Sequence, residues 1–184
     1  KTYRQSLGLE DDTLVLGHVG HFSESKNQGF LVDLVEKLPV EKNIKLLLIG
    51  VGDLENEIKE RVAQLGLQDR ILFLGTRTDV PSLLQAIDLF MLPSKWEGLG
   101  IVLLEAPLTG LPCLASTEVP SAADLAGGVS FFPLDKPEQW ERAILSFAQV
   151  GDRSHLADLA ANAALEKGFD IASEANKLLC AYNN

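Results

Sequence analysis

The segment Leu14-Val-Leu-Gly-His-Val-Gly20 is a short, mostly apolar run that ends in glycine, and it predicts a buried β-strand. Residues 28–38 follow, with apolar side chains at helical spacing. Residues 44–50 then repeat the first pattern, again closed by glycine, and predict a second strand. A strand, a helix and a second strand in this order are typical of a parallel sheet, because parallel strands need a long crossover connection.

The same alternation continues along the chain and extends this unit into a larger sheet. Further strands are predicted at 71–75, 89–92, 112–115 and 129–132, and further helices at 53–65, 80–87, 100–109, 137–150, 154–167 and 171–182. Strands that are apolar on both faces must be covered by helices on both sides. We therefore predict an α/β fold, with a Rossmann-like, doubly wound, parallel six-stranded sheet and C-terminal helices. Ligands of such sheets bind outside the carboxyl ends of the strands.

Length and composition narrow the class of protein. The chain has 184 residues, the size of one domain, and 46% of them are hydrophobic, which excludes global disorder. It begins at Lys1 without methionine, so we expect one domain, residues 1–184, cut from a longer protein. The net charge of -10 makes nucleic acid and anionic lipid poor partners. The two cysteines, Cys113 and Cys180, are expected to be buried free thiols.

The most informative segment is Ser94-Lys-Trp-Glu-Gly-Leu-Gly-Ile-Val-Leu-Leu-Glu-Ala106, which holds two carboxylates separated by seven residues. Glu97 precedes the predicted helix, and Glu105 lies about one and a half turns into it. The apolar neighbours of Glu105 predict a buried helix, with Glu105 leaning back toward the loop of Glu97. A carboxylate there would accept two hydrogen bonds from a diol such as ribose. Backbone N–H groups at the helix start would face a phosphate or sugar hydroxyl, namely those of Gly98, Leu99 and Gly100.

Each of these residues also has a structural interpretation. Glu105 would then form an ion pair with Lys95 or Arg77, and Glu97 would be an ordinary exposed loop carboxylate. Trp96 would either stack on a sugar or a partner domain, or simply pack.

Two histidines could have a catalytic or metal-binding role, but a purely structural role is favoured for each. His18, in the first predicted strand, is expected to be a buried histidine with its hydrogen bonds satisfied. His155 lies near Asp152 and Asp158, but three residues on one exposed helix without a fourth ligand predict a solvated face rather than a metal site.

The signature segment resembles that of the group 1, or family 4, retaining glycosyltransferases, which include glycogen synthase-like enzymes and bacterial capsule and exopolysaccharide transferases. The resemblance comprises Glu97, seven intervening residues, Glu105 with Ala106, and then Gly110-Leu-Pro112. The glycine-containing segments 19–22 (with Lys26), 48–52 and 73–75 are similar to the family's other loops. The family has a GT-B fold of two Rossmann-like halves, and this chain resembles the C-terminal, donor-binding half.

The resemblance implies a role for each position. Glu97 would contact hydroxyls of the transferred sugar, Glu105 would hold the ribose, and Lys26 would pair with the diphosphate, whose charge grows as the glycosidic bond breaks. Gly98, Leu99 and Gly100 would offer N–H groups to the diphosphate or sugar. The first glycine loop, with Gly20 and His21, would lie against the diphosphate, and Thr76 and Arg77 would line the base pocket.

This chain departs from the family pattern at two places. The family commonly has arginine where His21 stands, and a neutral histidine is a weaker diphosphate ligand or simply a loop residue. After the fifth strand the family often has two glycines and an acidic residue, whereas this chain has Val119-Pro-Ser-Ala-Ala-Asp124. Ser121 or Asp124 could substitute.

The expected function is therefore the donor-binding half of a retaining hexosyltransferase in polysaccharide biosynthesis. The donor would be a UDP- or GDP-type sugar, and the acceptor a glycan or a lipid-linked glycan. We expect no metal and no cofactor, an inactive isolated fragment, a partner domain N-terminal to it, and a cytoplasmic location, peripheral to the inner membrane face at most. The alternatives are half of a nucleotide-sugar epimerase and a non-catalytic interaction domain of the same fold.

Overall fold

The structure is a computed structural model that describes residues 2–98, 100–124, 127–147 and 152–169. Within these residues six strands alternate with helices. The strands are β1 (Leu14–Val19), β2 (Ile44–Ile49), β3 (Ile71–Gly75), β4 (Leu89–Leu92), β5 (Cys113–Ser116) and β6 (Val129–Phe132). The α-helices are α1 (Thr2–Ser6), α2 (Gln28–Lys37), α3 (Glu55–Gln64), α4 (Val80–Ala86), α5 (Val102–Leu108), α6 (Pro137–Ser146) and α7 (Ser154–Glu166). Short 3₁₀ turns occur at Val40–Lys42 and Ser121–Ala123.

The six strands form one parallel sheet in the order β3-β2-β1-β4-β5-β6. This order confirms the predicted doubly wound, six-stranded architecture. The chain builds outward from β1 in one direction and then returns to build outward from β4 in the other. The boundary between β1 and β4 is therefore the topological switch point of the sheet, where ligands of such folds bind.

The sheet is covered on both faces, as the continuous apolar runs of its strands require. On one face α2, α3 and α6 pack on the strands, and the fully buried Trp140 is packed against Phe30 and Phe132 at centroid distances of 5.3 and 5.9 Å. The Trp140 indole N–H donates to the carbonyl oxygen of Pro133 (3.1 Å). On the other face α4 and α5 bury a second apolar cluster that includes Phe90. Trp140 is therefore part of the core.

Two helices begin later than their hydrophobic pattern indicates. The helix predicted from residue 53 begins at Glu55, and the one predicted from residue 100 begins at Val102. Gly100 has a φ of +66°, outside the right-handed helical region, so it cannot be a helical residue. Helix α5 ends at Leu108, and Gly110, with a φ of +68°, closes it: the Gly110 N–H donates to the carbonyl oxygen of Pro107 (2.8 Å) and the Leu111 N–H to that of Ala106 (3.2 Å).

The short helix α1 has no amphipathic pattern and was not predicted; tertiary contacts hold it. The guanidinium of Arg4 donates to the carbonyl oxygens of Thr13 (2.5 Å) and Ala86 (3.2 Å), and to the carboxylate of Asp88 (3.1 Å). These partners come from the start of β1 and from the turn before β4, so α1 is fixed at the amino-terminal edge of the sheet.

The predicted helix 171–182 and Cys180 lie outside the described residues. Cys113 is a buried free thiol, as expected, and burial raises its pKa. Within the described parts of the chain, no helix is both long enough and apolar enough to cross a lipid bilayer.

Candidate functional site

Two loops meet at the carboxyl ends of β1 and β4, and we call them the switch-point loops: residues 20–27 and residues 93–101. The backbone N–H of Lys95 donates to the carbonyl oxygen of Ser25 (2.8 Å), and the side chain of Asn27 donates to the carbonyl oxygen of Pro93 (3.1 Å). Asn27 has a φ of +57°, which asparagine tolerates better than most residues. The two loops are therefore held together as one unit.

The side chains of Lys26 and Glu97 form an ion pair across the switch-point loops. They are only 20% and 16% exposed, respectively, and Ser94 donates a further hydrogen bond to the same carboxylate oxygen of Glu97 (3.3 Å). Glu97 is thus not an ordinary exposed loop carboxylate. The sequence singled out both residues but did not indicate that they contact each other.

Beneath this ion pair lies the fully buried His18. Its Nδ1 is 2.9 Å from the carbonyl oxygen of Met91, and its Nε2 is 3.2 Å from the side-chain nitrogen of Gln28. Because both partners have fixed roles, Nδ1 carries the proton and Nε2 accepts. Burial lowers the pKa of His18 to about 4, so the ring is neutral at pH 7. The prediction of a satisfied buried histidine is confirmed.

Gln28 was predicted only as the start of a helix, yet it connects His18 to the first switch-point loop. Its side-chain nitrogen also donates to the carbonyl oxygen of His21 (2.9 Å). His21 itself is exposed at the loop surface. No sequence signal indicated this role, because the burial of Gln28 and its contact with His18 appear only in the structure.

Three glycines allow the first switch-point loop to lie against the turn after β2. A Cβ added to Gly50 would lie 2.1 Å from the carbonyl oxygen of Gly20, and one added to Gly52 would lie 2.5 Å from the backbone of Phe22. A Cβ on Gly20 would approach Nε2 of His18 (3.1 Å) and the side chain of Lys26 (3.4 Å). The glycines therefore serve close backbone packing that sets the position of Lys26.

Replacement of Gly50 by alanine should displace this loop, because the new Cβ meets backbone and because Gly50 has a φ of +132°. We expect the free energy of unfolding to fall by about 1 to 3 kcal/mol, measured by urea denaturation. Gly29→Ala is the matched control. Gly29 lies in α2, and a Cβ there would make only an ordinary van der Waals contact with Ile58 (3.7 Å). An equal effect of the two substitutions would contradict the packing role of Gly50.

Glu105 lies on the exposed side of α5 and lines a pocket of about 290 Å³ beside the end of β1. The other lining residues are apolar or hydroxyl-bearing: Val19, Val80, Pro81, Leu84, Leu108 and Thr109. The prediction that this helix is buried on all sides is therefore wrong, because Glu105 and Leu108 of α5 and the preceding Ile101 are exposed.

The proposed ion-pair partners of Glu105 are engaged elsewhere. Lys95 pairs with Glu24 (3.1 Å), and Arg77 pairs with Asp79 (2.7 Å). Within the described residues no ion pair or hydrogen bond to the Glu105 side chain is found. The carboxylate faces an open, mostly apolar pocket, an arrangement suited to a ligand with one face to stack and a diol to hold.

The residues predicted to line a base pocket lie next to this one. Thr76 is exposed, and the Arg77 guanidinium holds both oxygens of Asp79 (2.8 and 2.7 Å), to which the Tyr3 hydroxyl also donates (2.5 Å). The hydrogen bonds from Arg77 and Tyr3 lower the pKa of Asp79. The pocket itself is lined by the next residues, Val80 and Pro81, which the sequence did not single out.

The segment between the two signature carboxylates is open. A Cβ at Gly98 would meet nothing within 4 Å, whereas one at Gly100 would lie 3.3 Å from Glu97. Leu99 lies outside the described residues. Trp96 is 56% exposed, which excludes the interpretation that it packs in the core and leaves it available to a ligand or a partner domain.

The loop after β5, where the chain departs from the family pattern, offers one of its two candidate substitutes to solvent. Asp124 accepts a hydrogen bond from the backbone N–H of Gly128 (3.0 Å) and so serves the loop itself. Ser121 lines a separate open pocket with Glu118 and Phe131. Among the described residues, no cluster of three or more potential metal ligands is found, and this includes the region of His155.

Comparisons with known proteins agree with this geometry. The family model described as "Glycosyl transferases group 1" matches residues 1–165. A protein of Bacillus subtilis (strain 168) that is named as a glycosyltransferase, EpsF, is 35% identical over 98% of this chain and 47% of its own length. The lipopolysaccharide core biosynthesis mannosyltransferase LpsB of Rhizobium meliloti (strain 1021) is 34% identical over 98% of this chain and 54% of its own length. The chain thus spans about half the length of these curated relatives.

Solved structures share the fold. The crystal structure of Anabaena HepE in complex with UDP-glucose superposes with a TM-score of 0.77 at 25% sequence identity. The match covers 99% of this chain and 51% of HepE.

Proposed function

This chain belongs to the group 1 glycosyltransferase family, and from that premise we propose that it is the donor-binding, C-terminal half of a retaining glycosyltransferase. The observation that carries the proposal is the arrangement at the topological switch point. A lysine paired with a carboxylate and a second carboxylate in an open pocket lie at the carboxyl edge of one parallel sheet. The donor would be a nucleotide diphosphate sugar of the UDP or GDP type.

The geometry supports a separate role for each of these side chains, each contacting a different part of the donor. The pocket of about 290 Å³ would take the nucleoside, with Glu105 accepting hydrogen bonds from the ribose hydroxyls and apolar side chains contacting the ring. Lys26 would hold the diphosphate and stabilise the charge that develops on it as the glycosidic bond breaks. Glu97, its partner, would bind hydroxyls of the transferred sugar.

The transferred sugar would be a hexose, and the acceptor a glycan or lipid-linked glycan. Relatives support this class: LpsB is named as a mannosyltransferase of lipopolysaccharide core biosynthesis, and HepE was solved with UDP-glucose. The acceptor site would lie in the N-terminal half, so the present chain alone should not catalyse sugar transfer. Retention of anomeric configuration is testable by NMR of the new glycosidic linkage in the product, and an inverted linkage would contradict it.

The experiment that tests the proposal is calorimetric titration of the chain with UDP, GDP and ADP. We expect saturable binding of UDP or GDP, and a dissociation constant raised about 10- to 100-fold in Glu105→Ala, because hydrogen bonds to a charged group are lost. Glu60→Ala, on the exposed face of α3, is the matched control and should bind as the parent does. Equal binding by the parent and Glu105→Ala would contradict the role of Glu105 at the ribose.

A non-catalytic domain of the same fold is the second candidate, and two observations motivate it. His21 stands where the family commonly has arginine, and Asp124 is engaged with Gly128 rather than free to face a donor. A well-folded sample that binds no nucleotide at millimolar concentration would favour this candidate.

A further inference from the structure

We propose that Glu97 competes with the bound phosphate for Lys26, and that this competition makes the site favour an intact nucleotide sugar over the free nucleoside diphosphate. The inference rests on the proposed function, since it assumes that Lys26 meets the diphosphate. The inference adds that the site binds substrate and product with different affinities, which the roles of the two residues do not by themselves imply.

The ion pair is built into the donor-free structure. Lys26 and Glu97 contact each other with side chains that are at least four-fifths buried, so solvent screens the pair less than a surface one. The switch-point loops that carry them are joined by hydrogen bonds from Lys95 and Asn27. Both Lys26 and Ser94 contact the same oxygen of Glu97, and the other oxygen has no hydrogen-bond partner among the described residues.

A phosphate that binds Lys26 must therefore come close to a carboxylate that stays in place. The loops leave Glu97 little freedom to retreat, because Ser94 donates a hydrogen bond to its carboxylate and its side chain runs beside Gly100, where an added Cβ would lie 3.3 Å away. The other lysine of these loops, Lys95, is paired with Glu24 and does not offset the repulsion. The affinity for each ligand therefore depends on whether the ligand supplies hydrogen-bond donors that replace Lys26 as the partner of Glu97.

The two ligands differ on this point. In a nucleotide sugar the β-phosphate is a diester with one negative charge, and the sugar attached to it carries hydroxyl donors that can satisfy both oxygens of Glu97. In a free nucleoside diphosphate the terminal phosphate gains a second charge near pH 7 and brings no donor. Like charges in a partly buried site repel, so Glu97 should penalise the product more than the donor.

The competition for Lys26 should favour release of the nucleoside diphosphate after sugar transfer. When transfer removes the sugar, Glu97 loses its hydroxyl donors at the moment when the phosphate gains charge. Lys26 is then shared between two anions, and the return of the Lys26 ammonium group to Glu97 accompanies departure of the nucleoside diphosphate. The same pair would thus assist product release.

The test compares the affinities of the chain for UDP and UDP-glucose, and for GDP and GDP-mannose, by calorimetry. In Glu97→Gln the amide keeps the shape but not the charge. We expect this variant to bind the free diphosphate about tenfold more tightly than the parent does, while affinity for the nucleotide sugar is unchanged or reduced. Glu60→Gln is the matched control, because this exposed carboxylate lies on α3, outside the switch-point loops, and the ratio of the two affinities should not change.

Lys26→Met separates the inference from the proposal on which it rests. If Lys26→Met weakens binding of both ligands but Glu97→Gln leaves their ratio as in the parent, the selection by Glu97 is wrong and the donor site stands. If the folded parent binds none of the four ligands, or Lys26→Met binds them as the parent does, the diphosphate site itself is wrong and the inference fails with it. Thermal melts of each variant show that it is folded.

Discussion

Asp88→Ala is expected to lower the free energy of unfolding by about 3 to 5 kcal/mol, because it leaves buried positive charge without its counterion. Asp88 is 6% exposed and holds two guanidinium groups at once, those of Arg4 (3.1 Å) and Arg153 (3.4 Å). Its carboxylate also accepts the backbone N–H of Val15 (2.9 Å). One side chain therefore joins α1, the start of β1 and the segment before α7.

Urea denaturation at pH 7 measures this effect. The control is Glu55→Ala, which breaks a pair with Lys59 four residues along α3, whose side chain is 47% exposed, and this should cost less than about 1 kcal/mol. A loss below about 1 kcal/mol for Asp88→Ala would show that the two arginines find other partners and that the cluster is not needed. Nucleotide binding by the folded fraction should be unaffected, because the cluster lies at the opposite edge of the sheet from the switch-point loops.

Lys26→Met in the complete two-domain protein is expected to reduce kcat about 10²- to 10³-fold, the cost typical of removing one donor that stabilises charge in a transition state. Lys26 is the lysine that the glycine loop positions at the switch point, beside Glu97. Methionine keeps most of the length of the side chain but lacks the ammonium group that neutralises a departing diphosphate.

Transfer of labelled sugar from the nucleotide that the chain binds measures this effect. Lys37→Met is the control, since Lys37 lies at the end of α2 and its ammonium group is 3.8 Å from Glu141 in an exposed pair. A reduction of less than tenfold in Lys26→Met would mean that another group, such as a residue of the N-terminal half, stabilises the diphosphate.

Much of the fold was predictable because this sheet is buried on both faces. Strands with both faces covered appear as uninterrupted apolar runs, and β3, β4 and β6 have the bounds that their runs predict. Helix α1 and the true start of α5 were not predictable. The first depends on Arg4 reaching residues more than eighty positions away, and the second on a backbone conformation of Gly100 that composition does not reveal.

The candidate site was predictable in its residues but not in its contacts. The spacing of Glu97 and Glu105 indicated the carboxylates, yet only the structure shows that Glu97 pairs with Lys26 and that Glu105 faces the pocket lined by Val80 and Pro81. Such contacts depend on how close the fold brings loops that are far apart in the sequence, and no local sequence pattern encodes this proximity. Gln28 was overlooked for the same reason: its partner His18 lies in another element.

A crystal structure of the chain with the nucleotide that it binds would show where the donor lies. We expect a diphosphate within hydrogen-bond distance of Nζ of Lys26, between the switch-point loops, and ribose hydroxyls on the carboxylate of Glu105. A nucleotide bound elsewhere, for example against Ser121 and Phe131, with Lys26 still paired to Glu97, would contradict it.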